Sequence, residues 1–137
     1  MNSIEYQQHK TLVSQQVIDL YASMDWSSAQ KPDLLLKALE HSHTVITAWE
    51  GDRLIGLGNA ISDGYLVVYY PHLVVHPNYQ RRGIGAEIVK RLQEKYAGFH
   101  QQSIIADGQA IDFYRKMGFA RAGACQALWI YQGHDHD

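Results

Sequence analysis

The stretch from Val74 to Ala86, VVHPNYQRRGIGA, constrains this chain more than any other. It reads as a β-strand, a tight polar loop and the start of a helix. Residues 83–97 continue that helix, with Ile84, Ile88, Val89, Leu92 and Tyr96 on one stripe. Gly83, Gly85, Arg81 and Arg82 stand where it begins. The first N–H groups of a helix have no partner within it, and the dipole adds partial positive charge at that end. Such a start suits an anion, and glycine lets a diphosphate approach the backbone without a Cβ in the way. The same residues also suit a plain strand–helix connection in which glycine serves only the turn.

The remaining sequence is organised around this segment. Residues 3–9 (SIEYQQH) alternate weakly and suggest an opening strand, and residues 15–24 place Val17, Ile18, Tyr21 and Met24 at helical spacing. Pro32 opens a second helix over residues 33–40. Gly51-Asp52 and Asp63-Gly64 are turn pairs between β-branched and apolar runs, which predicts an antiparallel meander from Thr44 to Val75. Its third strand, residues 65–76 (YLVVYYPHLVVH), is apolar enough for the sheet interior, yet Pro71 interrupts it. A proline cannot donate to the ladder, so it signals a bulge, an edge or a splay. SIIA at 103–106 reads as a short buried strand, residues 109–117 as a short helix closed by Gly118, and residues 119–132 as two more strands around Ala122-Gly123. This order implies an α/β (α+β) layout with helices packed on a twisted sheet.

Composition narrows the function classes. A chain of 137 residues suggests one domain over 1–137, with 133–137 fraying. Lys+Arg number 12 against 14 Asp+Glu, so no basic surplus points to nucleic acid. A single cysteine, Cys125, forms no internal disulfide and reads as a quiet buried thiol. No run has the length of a membrane span, and the first ten residues lack a signal-peptide core, so the expectation is a cytoplasmic protein with no membrane partner. His134 and His136 have metal-like spacing at a fraying end, which preorganises no ligands, and no metal is expected. His41 and His43 read as solvated at a helix–strand junction.

Gln80, Gly83 and Gly85, preceded by Val75-His76-Pro77, resemble the Q/R-x-x-G-x-G/A signature of the GCN5-related N-acetyltransferase (GNAT) superfamily. A second segment, AIDFYRKMGF at 110–119, looks like that family's A-x-x-F-Y-x-k-x-G-F helix and turn. The resemblance covers roughly residues 44–119. It implies a mixed, mostly antiparallel sheet of six to seven strands flanked by four helices, with the fourth and fifth strands parting like a V. It also implies acetyl-CoA as co-substrate, a primary amine as acceptor, and an occasional homodimer. The backbone of Leu73, Val74 and Val75 is then expected to pair with pantetheine. The N–H groups of Arg81, Arg82, Gly83, Ile84, Gly85 and Ala86 are expected to surround the diphosphate.

Acetyl transfer needs an amine without its extra proton and an acid for the departing thiolate. Tyr114 matches the family tyrosine given the acid role; the plainer alternative is a core aromatic. His72, beside Pro71, is the candidate base, because imidazole titrates near neutrality. Relatives commonly carry a carboxylate near this position, and none stands between Tyr65 and His76. Strand alternation puts His72 on one face with Tyr70 and Val74 unless a bulge resets the parity. Asp63 is a rival as anchor or remote base, or simply a turn residue. Asp25 and Trp26, between the first two helices, suit a cationic amine, with Tyr70 as a further wall; Trp26 equally suits the core. Asp107 reads as a cap for the helix that follows it. The acceptor expected is a small amine metabolite, with a peptide amine or a non-catalytic acyl-CoA sensor as alternatives.

Overall fold

Hairpin turns and β-branched runs build the sheet, and this computed structural model describes residues 3–8 and 11–135 of the chain. The strands are β1 (Ile4–Gln8), β2 (Thr44–Glu50), β3 (Arg53–Ser62), β4 (Val67–Tyr69), β5 (Leu73–Val75) and β6 (Gln101–Ser103). The helices are α1 (Ser14–Ala22), α2 (Pro32–Glu40), α3 (Ile84–Lys95) and α4 (Ile111–Lys116). Short 3₁₀ turns cover Ser27–Gln30 and Pro77–Tyr79. The two turn pairs produce the meander as expected, and β1 adds antiparallel to β2. The last residue of the expected opening strand, His9, lies outside the described residues, as does His136.

The long third strand of the meander is two strands. β5 pairs with β3 from Gly56↔Val75 to Gly58↔Leu73, and β4 pairs with it at Ile61↔Tyr69 and Ser62↔Val68. Three residues, Tyr70, Pro71 and His72, therefore oppose two on β3, which is a bulge. The Asn59 side chain stitches it: its Oδ1 accepts from His72 N–H at 3.0 Å and its Nδ2 donates to Ser42 Oγ at 3.0 Å. On the other side, β4 runs parallel to β6 over Val67–Tyr69 and Gln101–Ser103, and Tyr70 N–H still reaches Ser103 O at 3.1 Å. Beyond Pro71 that pairing stops, and β5 departs along β3 alone. The expected V opens at the proline.

Two apolar layers sandwich the sheet. α1 and α2 pack Val17, Leu20, Tyr21, Leu35 and Leu39 against Val45, Leu57 and Val74, while α3 packs Ile84, Ile88 and Leu92 against Ile46, Ile55 and Val68. Bare backbone on β3 permits the close seat of α3: a Cβ at Gly58 would stand 2.6 Å from Ile88 Cγ2, and one at Gly56 would stand 3.2 Å from Ile84 and Ile88.

Three expectations are corrected. The strand expected at 103–106 lies earlier, at β6, because β4 offers a free edge only up to the bulge; Ile105 is exposed. Residues 119–132 form no strands: the chain makes only local turns there, Gly123 N–H to Arg121 O and Cys125 N–H to Ala122 O, and leaves the outer edge of β6 unpaired among the described residues, so Leu128 and Ile130 stand 86% and 96% exposed. Cys125, on that same unpaired stretch, is an exposed thiol and not a buried one. Among the described residues no helix is long and apolar enough to cross a membrane.

Candidate active site

The loop between β5 and α3 is held by its own side chains. Asn78 N–H donates to His76 Nδ1, Tyr79 N–H to His76 O, and Gln80 Nε2 to Val75 O at 3.1 Å. Tyr79 donates to Glu50 Oε1, and Arg53 and Arg82 lie over its ring at 5.5 and 5.2 Å. Arg81 and Gly83 sit in the left-handed region, at φ 64° and 78°, which turns the chain into α3. Among the described residues, the N–H groups of Arg81 through Ala86 donate to no other group. A Cβ at Gly83 would meet nothing within 4 Å. A rigid loop presenting six successive amides, open space and two arginines fits a diphosphate, and with it acetyl-CoA.

A second wall is the edge of β5. Asn59 N–H donates to His72 O and His76 N–H to Ile55 O, so the even-numbered residues of this strand turn their polar groups to β3. Leu73 and Val75 turn theirs toward the splay, and Val74, expected to face the cofactor, faces β3. The third wall is α4. A Cβ at Gly85 would stand 3.7 Å from both Leu73 Cδ2 and Phe113 Cζ, so β5, α3 and α4 converge at this glycine.

Tyr114 follows Phe113 on α4 and packs edge-on against it and Phe119, with centroids 5.0 and 5.8 Å apart. Burial pushes its phenol up to about 12, and among the described residues its hydroxyl has no hydrogen-bond partner. It keeps its proton at neutral pH, as a proton donor must.

His72 lies across the sheet from there. The bulge resets the parity, so His72 shares a face with Val74 and α1, whereas Tyr70 packs on the α3 side against Tyr96 and Phe119. This corrects the shared face for Tyr70 and His72. Tyr70 donates to Gln102 Oε1 at 2.7 Å. His72 belongs to a ring trio with Tyr21 and Trp26, all three pairs edge-on with centroids 5.3–5.6 Å apart. Its Nδ1 stands 2.9 Å from Tyr21 Oη, and burial pulls the imidazole down to about 4. Tyr21 is itself shifted upward by burial, so it stays protonated. Asp25, one residue before Trp26, is exposed in the left-handed region at φ 55°.

The other candidates are tied into local structure. Asp63 Oδ1 accepts from Tyr65, Leu66 and Val67 N–H at 2.8, 2.8 and 3.2 Å, bonds that hold its carboxyl below the usual range. That is a turn brace, and it shares no hydrogen bond with His72 or Tyr114. Asp107 accepts from Gln109 N–H at 3.1 Å, but this braces the turn before α4 and does not cap it: the helix expected over 109–117 starts at Ile111, with Ala110 as its N-cap and no side-chain cap, which corrects the capping role. His43 is bonded through Nδ1 to Tyr96 Oη at 2.7 Å. Sequence reasoning missed Asn59 and Tyr21. An asparagine amid the apolar run of β3 was the available signal for the first; Tyr21 reads as one more apolar helix position.

The family described as an acetyltransferase (GNAT) domain matches residues 8–127. An uncharacterized N-acetyltransferase of Porphyra purpurea, ycf52, is 31% identical over 90 residues, which are 61% of this chain and 52% of that protein. A probable acetyltransferase of Glycine max, TAP2, is 28% identical over 133 residues, 86% of this chain and 54% of its own length. The chain thus spans about half the length of the curated relatives it matches. Among solved structures, the GNAT family acetyltransferase SP0256 of Streptococcus pneumoniae TIGR4 superposes with a TM-score of 0.82 at 27% identity, covering 96% of this chain and 100% of that one.

Proposed function

Because this chain belongs to the GNAT acetyltransferase family, we propose that it transfers an acetyl group from acetyl-CoA to the primary amine of a small metabolite, with both substrates bound together. The observation that carries this reading is the preorganised row of unengaged amides from Arg81 to Ala86 at the open end of the splay. Acetyl-CoA supplies the activated acetyl group. The amides of that row hold the diphosphate, and the outward backbone groups of Leu73 together with Val75 N–H align the pantetheine arm, while Val75 O stays with Gln80. Burial keeps a proton on Tyr114 Oη at neutral pH, and with acetyl-CoA bound that proton would be available to the departing thiolate. Trp26 and the exposed Asp25 carboxylate suit the alkylammonium of an incoming amine.

His72 accepts a proton from the amine only if its Nδ1–H donates to Tyr21 Oη, which frees Nε2. Burial holds the ring neutral but weakly basic. That observation favours a second reading, a non-catalytic acyl-CoA-binding module. Thiol release from acetyl-CoA, measured against spermidine, glucosamine and a peptide with a free N-terminus, separates the two. The enzyme reading expects release with an amine and faster release with a small one. Protein loaded with acetyl-CoA that releases no thiol above the amine-free rate contradicts it and supports the module.

A further inference from the structure

The segment that follows α4 leaves the packed Phe119, runs through exposed positions without secondary structure, and then meets the turn after α1. Asp135 Oδ1 accepts from Ser27 N–H at 3.1 Å, and Asp135 Oδ2 accepts from Ser27 Oγ at 2.9 Å. Tyr131 donates to Asp135 Oδ2 at 2.8 Å and its Oη lies 3.4 Å from Ser27 Oγ. Trp129 stacks on Tyr131 at 4.5 Å with planes 13° apart, which stiffens the arm just before the attachment. The turn between Tyr131 and Asp135 has no room for a side chain at Gly133, where a Cβ would stand 2.5 Å from Ser27 Oγ and 2.7 Å from the Tyr131 ring. The contacts of Asp135 and Tyr131 with Ser27 join residues more than a hundred positions apart in sequence.

Ser27 directly follows Trp26, whose ring is 5.4 Å from that of His72 at the head of β5. The attachment point is therefore the turn that carries Asp25 and Trp26. We propose that Ser27, Tyr131, Gly133 and Asp135 form a clasp that fixes this turn from outside and sets the affinity for the amine while leaving the acetyl-CoA side unaffected. The inference rests on the reading of Asp25 and Trp26 as the acceptor wall. Its chemistry favours a reversible device: the bonds are solvent-exposed, so water competes for each of them, and the arm that bears them buries no core residue. Asp135, with both carboxylate oxygens engaged on Ser27 and Tyr131, is a positioning residue and not a ligand for the amine.

Asp135→Asn weakens the clasp without a change of size, and Gly133→Val wedges it open without a change of charge. Both variants are expected to raise KM about fivefold for whichever amine of the panel the wild type uses best, roughly the share of one hydrogen bond. Both are expected to leave kcat and the Kd for CoA within about twofold, and to speed amide hydrogen exchange at Ser27. An unchanged KM in variants whose Ser27 exchange has accelerated overturns the proposal, as does Ser27 exchange equal to the wild type in both. A wild type that binds no CoA, or that acetylates none of the amines, counts against the proposed function instead. The clasp is then decided by Ser27 exchange alone.

Discussion

Burial favours the neutral form of both Tyr114 and His72, and so moves their pKa values in opposite directions. For Tyr114 it stabilises the neutral phenol, up to about 12, which suits a donor. Tyr114→Phe is expected to lower kcat about a hundredfold with the Kd for CoA nearly unchanged, as stopped-flow thiol release and calorimetry read it. A kcat equal to the wild type, with chemistry limiting, removes the acid role. For His72 burial also favours the neutral form, and here that means a pKa lowered from 6.5 to about 4. Between those two values the unfolded chain binds a proton that the folded one refuses, so this residue costs stability as the pH falls through that window. Wild type is expected to lose about 2–3 kcal/mol more than His72→Phe between pH 7 and pH 4 in urea unfolding. Parallel curves for the two proteins contradict the buried, neutral imidazole.

At the scale of elements, the site depends on how β3 treats its neighbours. Gly56 and Gly58 let α3 sit against the sheet, and so fix where the first turn of α3 meets β5 and α4. Gly58→Ala is expected to cost about 1–3 kcal/mol, since the new methyl would collide with Ile88 in a packed layer. Thermal unfolding checks this, and an unshifted Tm contradicts the seat described for α3. The same strand holds the bulge at Tyr70–His72 through Asn59, and the bulge both ends the pairing with β6 and turns His72 toward α1. Gly83 makes a third test of element geometry. Gly83→Val forces a β-branched residue into φ 78° and is expected to weaken CoA binding about tenfold, whereas Gly83→Asn, which tolerates that region, keeps most of it. Equal affinities for the two variants would separate the loop's backbone from binding.

Across the whole molecule, the sequence resolves what is local. Turn pairs at Gly51-Asp52 and Asp63-Gly64, the stripe on α3 and the strand–loop–helix start at Val74–Ala86 are each set by near neighbours, and they stand where residue spacing puts them. Pro71 announced a break, but whether it made an edge, a bulge or a splay depended on Asn59 and on β6, both distant along the chain. Strand propensity in residues 119–132 misled, because propensity makes a strand only where the chain docks on a sheet edge, and these exposed residues lie off the open edge of β6. The site divides in the same way: the amide row was legible from glycines and order, whereas the pairing of His72 with Tyr21 was not, since alternation fails across a bulge. The most direct test of the account is to follow the backbone amide resonances of the wild type during titration with CoA. The account predicts that Arg81 to Ala86 shift first and furthest and that their hydrogen exchange slows. Saturable CoA binding with those six amides unmoved, or no binding by folded protein, would contradict it.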